Sequence, residues 1–272
     1  MNIIDITGAD DTSISVYINL SEPQLKHYRD PEGGVFIAES CKVIGRALDG
    51  GMKPESVLVS SEVFGREEVA SLLSRMGDIP VYRAPSEVME DITGYHLTGG
   101  ILCCMTRPVL PSADSVLASC TGSRSRIAVL ENIVNPTNAG AVFRSAAAFN
   151  IDAVLLVQGS CDPLERRAMR VAMGTMFQIP WTFISSEDVC GTLRSLGYKT
   201  AALALEEDSI PLDSPVLKGE PRLAVLIGNE GNGLTQETIG NADYKVIIPM
   251  SHEVDSLNAA AASAVAFWEL TR

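Results

Sequence analysis

Three segments of the sequence combine polar side chains, glycines and helix-starting residues in ways that can hold a ligand. The first is Glu131-Asn132-Ile133-Val134-Asn135-Pro136-Thr137-Asn138-Ala139-Gly140, with Arg144 six residues beyond Asn138. Asn138 is of a type that caps helices, and Arg144, in the second turn, is long enough to reach back towards the helix start. The second segment is Gly228-Asn229-Glu230-Gly231-Asn232-Gly233. Its three glycines permit close ligand approach or positive φ. The spacing is G-x-x-G-x-G with no P-loop lysine after it, which gives little support to a dinucleotide or P-loop phosphate site. The third runs from Ile248 to Asn258 (IPMSHEVDSLN) and opens the last helix. Backbone amides and carbonyls there suit an adenine or amino-acid moiety. Singly, each segment has an ordinary explanation: Asn138 and Ser256 as helix caps, Arg144 as a surface cation beside a carboxylate, the glycines as a turn. Their order, each at the end of an apolar strand, makes them a candidate site, because open parallel sheets bind ligands at the carboxyl ends of their strands.

Two runs of alternating strands and helices supply those strand ends. In the first, strands are predicted over 35–40, 56–60, 79–82 and 101–105, with helices over 41–48 and 63–76. The prolines at 108 and 111 then interrupt the pattern. In the second, strands are predicted over 126–132, 153–158, 178–184, 199–205, 222–228 and 244–250. Helices are predicted over 138–149, 163–173, 187–196 and 256–270. Short, nearly continuous apolar strands indicate a mostly parallel sheet covered on both faces. The expected fold class is α/β, with a larger, mostly parallel domain over 124–272 preceded by a smaller α/β domain over 1–107 and a linker over 108–123.

Bulk properties bound the function. The longest apolar runs are too short to span a bilayer, and the acidic N-terminus lacks the basic region of a signal peptide, so a soluble cytoplasmic protein is expected. The six cysteines form no C-x-x-C pair, and the three histidines are not near them in sequence; reduced buried thiols are expected rather than zinc or disulfides. The formal net charge of −13, spread over both halves, argues against a general nucleic-acid binder. Any RNA site must be a local basic patch on an acidic body.

The three segments resemble the three sequence motifs of SpoU-type RNA 2′-O-ribose methyltransferases of the SPOUT superfamily. The matching stretches are NPTNAGAVFRSAAAFN (135–150), LAVLIGNEGNGL (223–234) and VIIPMSHEVDSLNAA (246–260). The likeness covers roughly 124–272, and residues 1–107 are more loosely similar to the substrate-binding domain that many members carry. The resemblance implies a deep trefoil knot, S-adenosylmethionine as methyl donor, no metal, RNA (ribosomal or transfer) as substrate, and a homodimer. Carried over by position, it implies functional roles for Asn138, Arg144, Glu230, Ser256 and Asn258, and donor-pocket roles for Gly228, Ile248, Met250 and Leu257. Two departures stand out: His252 replaces the usual glycine, and Ala259-Ala260 replaces the usual Val-Ser.

Transfer to a ribose hydroxyl is an in-line displacement in which positioning contributes roughly 7–11 kcal/mol and a general base roughly 10²–10⁴-fold. The family is usually described with the arginine as base, yet guanidinium groups in proteins stay protonated and offer no acceptor. Arg144 is therefore read as orienting the 2′-oxygen and stabilising developing alkoxide. The proton would pass to water, a phosphate oxygen or a transiently neutral Arg144. Asn138 and Ser256 would hold Arg144 or the ribose, and Glu230 would pair with Arg144 or a substrate group. For RNA contact, Arg166 and Arg170 share a helix face at i, i+4, and Lys42 and Arg46 do so on an earlier helix. Three alternatives stand beside this reading: an RNA-binding protein of the same fold without activity, a nucleotide- or nicotinamide-dependent enzyme, and a methyltransferase for protein or small molecules.

Overall fold

The computed structural model describes residues 2–18, 20–30, 33–229, 231–252 and 256–272. The chain divides into two compact units, residues 1–109 with 164–177, and residues 110–163 with 178–272.

The first unit is built on five strands: β1 (Asn2–Asp5), β2 (Val35–Glu39), β3 (Pro54–Ser60), β4 (Pro80–Ala84) and β5 (Ile101–Thr106). Their order is β1-β4-β3-β5-β2, with β1, β4 and β3 parallel and β5 antiparallel to both β3 and β2. The continuous helix expected over 63–76 is instead two, Ser61–Phe64 and Glu67–Ser74. Gly65 caps the first, and Arg66, with extended backbone, begins the second. The helix Arg166–Ala172 belongs to this unit. It stops at Met173, which adopts left-handed backbone (φ 55°), and its carbonyl accepts a 2.7 Å bond from Arg46 Nη1.

The second unit carries seven strands: β6 (Ser125–Leu130), β7 (Ala153–Val157), β8 (Trp181–Ile184), β9 (Lys199–Leu203), β10 (Ile210–Pro211), β11 (Arg222–Ile227) and β12 (Tyr244–Ile247). The order is β10-β12-β9-β11-β6-β7-β8, and every neighbouring pair is parallel. The mostly parallel α/β sheet expected from the apolar runs is therefore present. Every residue of β6 and β7 is buried, as strands covered on both faces require. Burying each Val, Leu or Ile in this way contributes about 1.5–3 kcal/mol. Ala113–Ala118 forms a helix whose Val116 and Leu117 enter this core. The helices Pro136–Ala148 and Ala259–Thr271 pack against each other.

All six cysteines are free, and burial pushes the Cys104 thiol up to about 12. Among the described residues no helix is long and apolar enough to cross a membrane, and no group of three His, Cys, Asp or Glu could hold a metal ion.

Candidate active site

Parallel strands deliver their carboxyl ends to one edge, and three of them carry the three segments: β6 runs into Glu131, β11 into Gly228 and β12 into Ile248. At the end of β6 the chain turns through Asn132, whose φ of 55° is left-handed backbone that asparagine tolerates. Asn135, not Asn138, caps the following helix: its side chain accepts from Thr137 N at 2.9 Å, and Pro136 occupies the first turn, where a missing N–H costs nothing. Asn138 lies inside the helix, 8% exposed.

Asn138 is turned instead towards the third segment. Asn258 Nδ2 donates to Asn138 Oδ1 at 3.3 Å. Asn258 also caps the last helix, its Oδ1 accepting from Ala260 N at 3.0 Å. The helix therefore begins at Ala259, and Ser256 is not its cap. One side chain thus sets the start of the last helix and ties it to the first segment.

The second segment is closed on itself. Asn229 N donates to Gly233 O at 3.1 Å and Gly233 N to Asn229 O at 2.9 Å. Asn229 Oδ1 accepts from Gly231 N at 2.7 Å. Gly233 has a φ of 68°. Gly228 is required by proximity: a Cβ there would lie 2.2 Å from both Gly233 C and Leu234 N. The loop is joined to the first segment by Asn229 Nδ2, which donates to Asn132 O at 2.9 Å.

Between the second and third segments and the end of β9 lies a cavity of about 300 Å³. Leu203, Leu234, Ile248, Met250 and Leu257 supply its apolar wall, with Glu206, Asn232 and Ser256 as polar lining. Gly228 is not part of the lining. His252 is exposed and outside it, with a φ of 60°, a backbone region that favours glycine.

The remaining expected residues have surroundings of their own. Arg144 is exposed and makes no hydrogen bond or ion pair to Asn138, Ser256 or any other described residue. Glu230 lies outside the described residues. Lys42, Arg46, Arg166 and Arg170 are all in the first unit. Lys42 is exposed, whereas Arg46 is half-buried and committed to the Met173 carbonyl. Arg170 lies 3.9 Å from Glu39 and over the Tyr95 ring, 5.7 Å from its centre. Arg166 is half-buried, and its backbone N donates to Glu22 at 3.1 Å.

Sequence reasoning missed three contributors. Asn135 was hidden because two asparagines compete for one cap, although the following Pro136 marks it. The wall from Leu203 to Glu206 starts at the end of the parallel strand β9 and ends on the polar Glu206, a cue of the same kind as the three segments. Glu131 opens the first segment but is given no role by the sequence, and it is a carboxylate only 3% exposed.

The SpoU rRNA methylase family model matches residues 125–268, more than half of the chain. An uncharacterised tRNA/rRNA methyltransferase of Mycobacterium bovis is 32% identical over all of this chain and 93% of its own length. The 23S rRNA (guanosine-2′-O-)-methyltransferase RlmB of Acinetobacter baylyi is 27% identical over 81% of this chain and 91% of its own. Among solved structures, the AdoMet-bound rRNA methyltransferase of Sinorhizobium meliloti superposes with a TM-score of 0.82 at 22% identity, covering 98% of this chain and 97% of that one.

Proposed function

We propose that this chain, which belongs to the SpoU rRNA methylase family, transfers a methyl group from S-adenosylmethionine to a ribose 2′-hydroxyl of ribosomal or transfer RNA. The observation that carries this reading is the joining of three separate strand ends into one site, by the Asn258–Asn138 and Asn229–Asn132 bonds, beside a cavity of about 300 Å³. That volume is at the lower end of small-molecule sites. An apolar wall with a few polar groups at one side suits a donor that joins an adenine to an amino-acid tail. The guanosine-2′-O specificity named for the Acinetobacter relative supports the ribose hydroxyl as acceptor.

When bound, S-adenosylmethionine supplies a methyl group on a positively charged sulfur, open to displacement. The chain's own residues then have two tasks. Ile248, Met250 and Leu257 hold the donor against an apolar wall, while Asn138 and Asn258, bonded to each other, set the floor against which a ribose is aligned. Arg144, exposed and without a partner among the described residues, is available to an RNA phosphate or a developing alkoxide. With the donor bound, the proton lost from the attacking 2′-hydroxyl would pass to solvent while Arg144 stays protonated. Glu230 and Ser256 are assigned to substrate alignment by position.

In this reading residues 124–272, apart from the 164–177 segment that belongs to the first unit, form the methyltransferase domain, and residues 1–107 with that segment bind RNA through Lys42 and Arg170, with Arg46 and Arg166 in support. The insertion of β12 between β9 and β10, two strands joined directly in sequence, supports a knotted chain path. Trp268 and Val265, 54% and 41% exposed on the last helix, support a homodimer. An RNA-modifying enzyme of this kind works in the cytoplasm.

The test is transfer of a labelled methyl group to total RNA, followed by alkaline hydrolysis. Ribose methylation removes the hydroxyl that attacks the neighbouring phosphate, so label in alkali-resistant dinucleotides is expected. Label on a base sinks the ribose assignment, and donor binding without any transfer favours an RNA-binding protein that has lost activity.

A further inference from the structure

Glu131 belongs to none of the roles assigned above, yet it is a carboxylate only 3% exposed at the sheet edge that forms the site. Burying a carboxylate costs several kcal/mol unless it is bonded, so its bonds identify what it does. Glu131 Oε1 accepts from Thr235 N at 2.9 Å. The backbone N of the same residue donates to Ile227 O at 2.9 Å. Ile227 and Thr235 are the two residues flanking the 228–234 loop. Asn132, the next residue, adds a third tie by accepting from Asn229 Nδ2 at 2.9 Å. Within two residues, then, the end of β6 holds both ends of a loop that contributes Asn232, Gly233 and Leu234 to the cavity.

We infer that Glu131 is a positioning residue: it pins the 228–234 loop and so keeps the donor cavity formed before ligand arrives. This role rests on the proposed methyltransferase reading. Only one of its oxygens is engaged with protein; Oε2 is buried with no hydrogen-bond partner among the described residues. The essential feature is therefore one acceptor aimed at Thr235 N, which an amide oxygen also supplies. A polar cavity of about 90 Å³, lined by Glu131, Thr238 and Asn241 among others, adjoins the site and has room for solvent to serve either a carboxylate or an amide. A pinned loop affects affinity through the fraction of molecules already competent to bind, because apparent affinity falls in proportion to that fraction.

The experiment compares Glu131→Ala and Glu131→Gln with the parent. Two quantities are read: calorimetric affinity for S-adenosylmethionine, and hydrogen exchange of the Gly231–Gly233 amides without ligand. Glu131→Ala is expected to weaken binding roughly ten- to a hundred-fold, the scale of a charge-assisted hydrogen bond, and to speed exchange in the loop. Glu131→Gln is expected to restore both to within about threefold of the parent. In turnover, KM for the donor should rise in the alanine variant with kcat changing less. A folded Glu131→Ala protein with parental affinity and exchange overturns the inference while leaving the methyltransferase reading intact. A parent that binds no S-adenosylmethionine overturns that reading, and this role with it. Should Glu131→Ala not fold, Asn229→Ala removes the third tie together with the bonds that Gly231 N and Asn232 N donate to Asn229 Oδ1. At least fivefold weaker donor binding is then expected, and unchanged binding overturns the inference.

Discussion

Replacing Gly228 by alanine tests the loop closure most directly. The new Cβ would stand 2.2 Å from Gly233 C and Leu234 N and 2.6 Å from Gly233 O, whereas carbon atoms in contact sit at about 3.5–4.0 Å. All three neighbours are backbone, so no rotamer change relieves the clash, and a shift of more than an ångström is needed. Either the loop stays closed under overpacking strain of about 1–3 kcal/mol or more, or it opens. Opening breaks the Asn229–Gly233 pair of hydrogen bonds, each contributing about 1 kcal/mol. The less costly route sets the expected destabilisation at about 2 kcal/mol, a fall in melting temperature of roughly 4–8 °C for a unit of this size. Since Asn232, Gly233 and Leu234 line the cavity, donor affinity should fall at least about tenfold. Thermal denaturation followed by calorimetric titration with S-adenosylmethionine reads both effects. A Gly228→Ala protein melting within about 1 °C of the parent, with undiminished affinity, would refute the claim that the closed loop forms the pocket.

Four further outcomes are expected. Asn258→Asp keeps an acceptor for Ala260 N but loses the donor to Asn138, so it should lower methyl transfer with little change in stability. Asn258→Ala should in addition lose about 1 kcal/mol of helix capping; parental activity in both variants would show the Asn258–Asn138 bond to be idle. Arg126, 4% exposed, donates to the carbonyls of Ser125, Leu217, Lys218, Pro221 and Leu270. Arg126→Met removes this donor from all five carbonyls, of which Pro221 O keeps Ser125 N and Lys218 O keeps Arg124 Nη2, and should cost about 3 kcal/mol in urea unfolding; a cost below about 1 kcal/mol would contradict this. The Ser86 hydroxyl donating to Glu62 holds that carboxyl at about 2, below its ordinary 4.5. Because the folded value is the lower one, its stabilisation is present above about 4.5 and is lost as pH falls towards about 2. Glu62→Gln should flatten the acid limb of the stability profile in that window, and an unaltered limb would rule this out. His252→Gly relieves a left-handed backbone (φ 60°) outside the cavity, so melting temperature and donor affinity should both stay near parental. A gain in affinity of tenfold or more would place His252 at the pocket instead.

Much of the fold was legible because its cause is local. Runs such as RIAVLEN and AVLLVQ are apolar on both alternating faces and too short for most helices, which points to a strand covered on both sides, and β6 and β7 are buried throughout. The helix expected over 63–76 failed at Gly65-Arg66, where apolar periodicity continues across a break that only the backbone reveals. In the candidate site, the three segments were visible as polar departures at strand ends. The partners of Asn138, Asn229 and Glu131 were not, because each lies on a different strand end. Asn258 is 120 positions from Asn138 and Thr235 is 104 from Glu131, separations over which no sequence periodicity carries information.

By itself the sequence determined which segments become strands, that the second sheet is parallel and buried, and where polar, glycine-containing loops follow those strands, since these follow from side-chain polarity at short range. Only the tertiary structure decided that Asn135 rather than Asn138 caps its helix, that Asn258 both starts the last helix and meets Asn138, and that Arg46 is spent on a backbone carbonyl. It also decided that a buried glutamate holds both ends of the glycine loop. These outcomes depend on which strand ends become neighbours in the sheet. That order is set by packing of the whole unit, where a hydrogen bond of about 1 kcal/mol forms only between groups that the core has already brought together.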